Sequence, residues 1–210
     1  STEGVSSAAS DVYKRQMYDL GDGVAQDYKE AFKWYKLAAE QGFVSAQFNL
    51  GLIYENGHGV QHDYDEAFRW YSLAADQGLA SAQNNLGLMY YLSNGVAKDY
   101  NEAFKWYSLA ADQGLAPAQF NLGLMYDNGH GVTQDYNEAF KWYNLAAEQG
   151  FASAQSNLGS MYDLGDGVAQ DYKEAFKWYN LAAEQGFVSA QFNLCLLYTS
   201  PSPRDRTRSR

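Results

Sequence analysis

Residues Asp63–Gly78 read DYDEAFRWYSLAADQG, and the same sixteen-residue sentence returns with small edits from one end of the chain to the other. Its Asp-Tyr pair stands at Asp27, Asp63, Asp99, Asp135 and Asp171, and its tryptophan follows at Trp34, Trp70, Trp106, Trp142 and Trp178, each 36 residues after the last. A fixed period in this range marks a stack of one supersecondary unit that cannot bury its apolar face alone. The repeat predicts an architecture and a class of function, binding.

Within the unit Gln41–Asp76, Ala46, Leu50, Ile53 and Tyr54 fall at i, i+4, i+7 and i+8, one stripe of a helix over about residues 44–55. Gly51 beside Leu50 costs roughly 1 kcal/mol against alanine inside a helix, so its return at Gly87, Gly123 and Gly159 predicts a close approach by a neighbouring helix. Asn56-Gly57-His58-Gly59-Val60 then ends the helix, because glycine accepts the left-handed backbone of a helix C-terminus. This glycine pair reads as a turn and not a phosphate loop: no strand precedes it and no Lys-Ser or Lys-Thr follows. Asp63 opens a second helix as N-cap, with Glu66 completing a capping box. Five copies of this pair at the point where helix amides need acceptors favour capping over general acid/base work. Tyr64, Ala67, Phe68, Tyr71, Ala74 and Ala75 form the apolar face, with Trp70 at its edge and the tryptophans expected to form a column along the array.

The 210 residues are 46% apolar and carry a net charge of −10. No apolar run approaches the length of a membrane span, and an acidic balance disfavours nucleic acid as partner. The ends break the period. Ser6–Gln16, SSAASDVYKRQ, and Cys195–Asp205, CLLYTSPSPRD, resemble translated sequencing-adapter ends. Residues 1–16 and 195–210 are therefore expected to be non-native, flanking an array at 17–194 of about five units whose two end units are cut short. That cut removes the lone Cys195 and the arginine-rich tail, and residues 17–194 alone carry 9 Lys+Arg against 22 Asp+Glu, a net −13. The copies are close: Met17–Leu50 and Met161–Leu194 differ only at Lys36 and Asn180, the mark of recent duplication.

The succession A-x-x-N-L-G-x-x-Y, G-x-G-V, D-Y-x-E-A-F-x-W-Y and A-A-x-Q-G resembles the Sel-one-like repeat (SLR) family, relatives of tetratricopeptide repeats with slightly longer units. The resemblance implies an all-α fold, an α-solenoid of 36-residue helix-turn-helix repeats stacked in a right-handed superhelix with the first helices on the concave side. It also implies a non-catalytic scaffold or adaptor for a protein or peptide partner. Cysteine-rich relatives associated with β-lactam binding carry cysteine pairs within their repeats, which residues 17–194 lack.

Differences between copies locate the candidate recognition surface. In the first helices they fall at Phe48, Asn84, Phe120 and Ser156, at Leu52, Leu88, Leu124 and Ser160, and at Glu55, Tyr91, Asp127 and Asp163. The i, i+4, i+7 spacing places these on one helical face, apart from the packing stripe. Aromatic anchors with an acidic rim favour a partner with basic and apolar residues, against the alternative that the row packs between repeats. A second variable row, from Lys29 to Lys173 and from Lys36 to Asn180, is polar and reads as the solvated outer face. Asn49, Asn85, Asn121, Asn157 and Asn193 do not vary, which suits helix bracing better than selection of a partner. No catalytic constellation and no cofactor are expected, since no Ser-x-x-Lys occurs. His58 and His62 are spaced like half a metal site but bridge a loop, and His130 is matched by Gln134. Glycan binding on exposed aromatics is the alternative function.

Overall fold

The computed structural model describes residues 28–199, so the adapter-like segment 1–16 and residues 200–210 of the adapter-like tail 195–210 lie outside the described residues. Ten α-helices alternate there between the second and first helix of successive repeats: α1 (Tyr28–Glu40), α2 (Val44–Asn56), α3 (Tyr64–Asp76), α4 (Ala80–Leu92), α5 (Tyr100–Asp112), α6 (Ala116–Asn128), α7 (Tyr136–Glu148), α8 (Ala152–Leu164), α9 (Tyr172–Glu184) and α10 (Val188–Thr199). The all-α helix-turn-helix repeat expected from the period is therefore what the chain forms. Two compact units divide it after Ala110.

Each pair of helices in a repeat is closed by one glycine and one tyrosine. A Cβ at Gly51 would stand 2.6 Å from Cδ1 of Tyr71, and one at Gly123 2.7 Å from Cδ1 of Tyr143, closer than van der Waals contact allows. The glycine lets the second-helix ring lie directly on the first-helix backbone, the close approach its position predicts. These tyrosines, Tyr71, Tyr107, Tyr143 and Tyr179, are among the largest fully buried side chains, together with Leu50, Leu86, Leu122 and Leu158. Burial of each leucine contributes about 1.5–3 kcal/mol.

The tryptophans act between repeats. Trp70 packs with Ala38, Ala39, Ala46 and Leu50, and Trp106 joins Ala74, Ala75, Ala82 and Leu86 in the first unit. In the second unit Trp178 does the same against Ala146, Ala147, Ala154 and Leu158. Each indole thus fills the trough between the second helix of the preceding repeat and the first helix of its own, where alanines leave room. A row of buried glutamines fixes the same joint. Gln47 donates to the Ala39 carbonyl at 3.3 Å and accepts from Gln77 at 2.7 Å, a pattern repeated by Gln155, which donates to Ala147 and accepts from Gln185.

Helix ends follow the sequence with one correction. Asp63 accepts from the amides of Asp65 and Glu66 at 3.0 and 3.1 Å, and Asp99, Asp135 and Asp171 cap in the same way. The reciprocal half of the capping box is not made. The Asp63 amide is already donated to the Tyr54 carbonyl at 3.0 Å, and Glu66 turns outward to Arg69 and the Trp70 indole. At the other end, Gly57 caps α2 in the left-handed conformation with φ 70°, and Ser93 does so for α4 with φ 68° despite its side chain.

Candidate functional site

The variable first-helix row separates, in the structure, into a half-buried apolar part and a polar rim. Phe48 and Leu52 of α2 pack against the cluster of Ala67, Tyr71 and Met89, and Phe120 and Leu124 of α6 against that of Ala139, Tyr143 and Met161. The ring centroids of Phe48 and Tyr71, and of Phe120 and Tyr143, are both 5.7 Å apart. Leu88 and Asn84 of α4 are half-buried, with Asn84 donating to Asn85, and Tyr91 tilts against Tyr100 at 5.2 Å. In α8 the row changes character: Ser156 is buried, 5% exposed, while Ser160 and Asp163 are half-buried.

The rim is tied to the buried tyrosines. Tyr71 donates its hydroxyl to Glu55 at 2.5 Å, and Tyr143 donates to Asp127 at 3.1 Å. Burial, joined by Glu55, pushes the Tyr71 phenol far above its usual range, so it stays a donor at any physiological pH. Asn85 of α4 opposes this shift. Burial of Tyr107 raises its phenol too, with Tyr91 occupying the place that Glu55 and Asp127 hold in their copies.

Two row residues from consecutive first helices meet in one cavity. Asp127 of α6 and Ser160 of α8 line a pocket of about 280 Å³, completed by Tyr136 and Tyr143 of α7, by Asn157, Met161 and Leu164 of α8, and by Asp166 in the following turn. Asp127 is held above the ordinary aspartate range by burial, opposed by the Tyr143 hydrogen bond and reinforced by the negative charge of Asp166. Neighbouring copies show why the pocket opens here. The position of Ser160 is a leucine at Leu52, Leu88 and Leu124, and that of Asp166 is again aspartate at Asp22 but His58, Asn94 or His130 in the copies between. A hydroxymethyl replaces an isobutyl group, and a second carboxylate replaces a neutral or weakly basic side chain.

The histidines go to ring contacts. His58 stacks on Tyr28 at 5.1 Å and His62 meets Tyr64 edge-on at 4.2 Å. No group of three His, Cys, Asp or Glu residues suited to a metal occurs among the described residues, and no described helix is long and apolar enough to cross a membrane. Of the second variable row, Lys29, Lys36, Asp65, Asn101, Asn137 and Lys173 are exposed, while Ser72, Ser108, Asn144 and Asn180 are half-buried, the two serines donating to the Phe68 and Phe104 carbonyls. Sequence reasoning passed over Asp166, read only as part of a turn, and Gln47, Gln83, Gln119 and Gln155, whose sameness across copies was as visible as that of the asparagines.

The Sel1 repeat profile matches five segments, residues 16–43, 44–79, 80–115, 116–151 and 152–187. A Sel1 repeat protein from Oxalobacter formigenes is 38% identical, with a TM-score of 0.87 over 93% of this chain and 78% of that one. The c5321 protein of uropathogenic Escherichia coli, described as a protective antigen with an SLR fold, is 41% identical with a TM-score of 0.84 over 89% of this chain and 40% of its own length. Cysteine-rich protein B of Helicobacter pylori is 25% identical over 63% of this chain and 96% of that one, with a TM-score of 0.50; this chain has the single Cys195. No curated protein matches the chain. With its repeats matched end to end and two solved relatives near 40% identity, the chain belongs to the Sel1 repeat family.

Proposed function

We propose that the chain is a non-catalytic scaffold that binds a protein or peptide on the face carrying the variable first-helix row. Sel1 repeats generally mediate protein–protein interaction, which sets the class of function. One observation carries the choice of face. Residues that differ between copies, Asp127 and Ser160, come from consecutive first helices, α6 and α8, into a single open pocket beside the unvarying Asn157. Scaffold positions, by contrast, are occupied with one another: alanines with tryptophans, glycines with tyrosines, glutamines with carbonyls. Phe48 and Phe120 are largely taken up by packing between repeats, against Tyr71 and Tyr143 on one side and the clusters of Ala82 with Leu86 and Ala154 with Leu158 on the other, so the partner would meet mainly the rest of the row. The acidic charge of the array suits a partner with basic and apolar residues.

A displayed peptide library selected on the full chain tests this reading, with the recovered peptides mapped by amide chemical shifts. The expected footprint falls on the row within a unit, Leu52, Leu88 and Tyr91 in the first or Asp127, Ser160 and Asp163 in the second. A footprint confined to the polar outer row, around Asp65, Asn101 and Lys173, would overturn it.

A further inference from the structure

The pocket of the second unit differs from a generic groove in what lines it. Two carboxylates line it, Asp127 from α6 and Asp166 from the turn after α8, together with Ser160 and Asn157 of α8. Tyr143 spends its hydroxyl proton on Asp127, and Tyr136 accepts from Gln134 at 3.0 Å. The side chains of Asn157, Ser160 and Asp166 take no protein partner among the described residues. The cavity therefore presents acceptors in excess of donors, together with negative charge and an aromatic ring. An anion is repelled. A dehydrated metal ion finds no three-ligand cluster, and a volume of about 280 Å³ far exceeds the ~30 Å³ of a single water.

We propose that this pocket receives a guanidinium group, the arginine side chain of a bound protein segment; this rests on the proposed function and names the anchor. A guanidinium offers five N–H donors in one plane, is weakly hydrated and stacks on aromatic faces. Asp127 and Asp166 neutralise it, Ser160 and the Asn157 oxygen take further N–H groups, and the Tyr136 ring supplies a face. An ammonium, with three donors on a strongly hydrated point charge, uses this spread of acceptors less well. The raised protonation range of Asp127 fits the same reading, because two carboxylates in one partly dry cavity lack a counter-charge that the ligand brings.

The test uses the full chain and N-acetyl-arginine methylamide, with the citrulline analogue as its neutral near-isostere and the lysine analogue as the rival cation, followed by amide chemical shifts. Saturable shifts at Asp127, Ser160 and Asp166 are expected for arginine, with the citrulline and lysine analogues weaker by about tenfold or more. Ser160→Leu refills the cavity with the residue of the other copies, and Asp166→Asn installs that of Asn94; each should weaken arginine by about tenfold or more while far-ultraviolet dichroism is unchanged. Equal binding of citrulline or lysine, undiminished binding to Ser160→Leu, or arginine shifts located elsewhere would each overturn the assignment. If arginine fails while library-selected peptides still map to the first-helix row, the anchor is wrong and the binding face stands; if those peptides map to the outer row, both fall.

Discussion

Replacing Gly123 by alanine sets two effects of opposite sign against each other. Alanine in a helix interior is favoured over glycine by about 1 kcal/mol, so on propensity alone the change would stabilise α6. Against this, the new Cβ would lie 2.7 Å from Cδ1, 2.7 Å from Cε1 and 3.3 Å from Cγ of Tyr143. Ordinary carbon contacts lie near 3.5–4.0 Å, so the ring must retreat by roughly an ångström. It has little freedom to do so, being fully buried and fastened at its far end to Asp127. Overpacking of a filled core costs about 1–3 kcal/mol, and a clamped ring places this case in the upper half of that range. The net expectation is a loss of about 1–2 kcal/mol. Urea unfolding followed by helical dichroism measures it, provided the m-value is unchanged so that the midpoint reports stability. The same substitution in a Tyr143→Leu background should reverse sign and stabilise by up to about 1 kcal/mol, since the flexible leucine yields and only propensity remains. If Gly123→Ala is neutral or stabilising with Tyr143 in place, the glycine is not there for the ring and the account of the helix pair fails.

Three further substitutions address the cap, the joint and the pocket. Ser93→Gly should stabilise by about 0.5–1 kcal/mol in the same urea assay, because a left-handed conformation costs an L-residue about 1–2 kcal/mol and glycine returns part of that as unfolded-state entropy and by losing the Ser93 bond to Val96. Gln155→Leu should cost about 0.5–1.5 kcal/mol, since it removes the side-chain bond to the Ala147 carbonyl, which still accepts from the Gly150 amide, and one of the acceptors of Gln185, which keeps the Gly150 carbonyl; a thermal scan checks it. For Asp127 the folded state binds its proton more tightly than the unfolded chain does, so its contribution to stability is fully present below the ordinary aspartate range and is lost as pH rises through the raised value. Asp127→Asn should remove that component, giving a stability profile flatter than wild type just above the ordinary aspartate range in paired urea titrations at stepped pH.

Much of this was legible before any coordinates because a repeat shows each position several times. The period, both helices, the aspartate cap and the glycine at the close approach could all be taken from Gln41–Gly78. Three features resisted for physical reasons. The capping box failed because Glu66 sees Arg69 and Trp70, competitors whose nearness depends on rotamers, and because Tyr54 reaches the Asp63 amide first. The tryptophans reach alanines of the preceding repeat as well as the first helix of their own, a relation between units that helical periodicity within one unit does not contain. The glutamine row escaped because a buried amide and an exposed one look alike in sequence; only the distance from Gln47 to the Ala39 carbonyl distinguishes them. At the candidate site, the row residues were visible as differences between copies, but Asp166 lies in a turn that was explained by its glycines, and a satisfied explanation concealed a second role.

The pocket also shows how such an array can acquire selectivity without endangering its fold. At Leu52 and Leu124 the variable position contributes apolar packing beside Tyr71 and Tyr143. At Ser160 that packing is given up, and Ser156 gives up an aromatic ring in the same helix. In a single-core domain such losses would weaken the whole structure. In a stack of near-identical units they are confined to one joint, because each repeat leans only on its neighbours. The glycine–tyrosine pair Gly159–Tyr179 and the Gln155–Gln185 bond remain intact in that same repeat, so the frame is held by positions that do not vary while the opening is made by positions that do. Sameness along the chain therefore marks what holds the array together, and the local departure from sameness, the serines Ser156 and Ser160, marks where the proposed partner would be chosen.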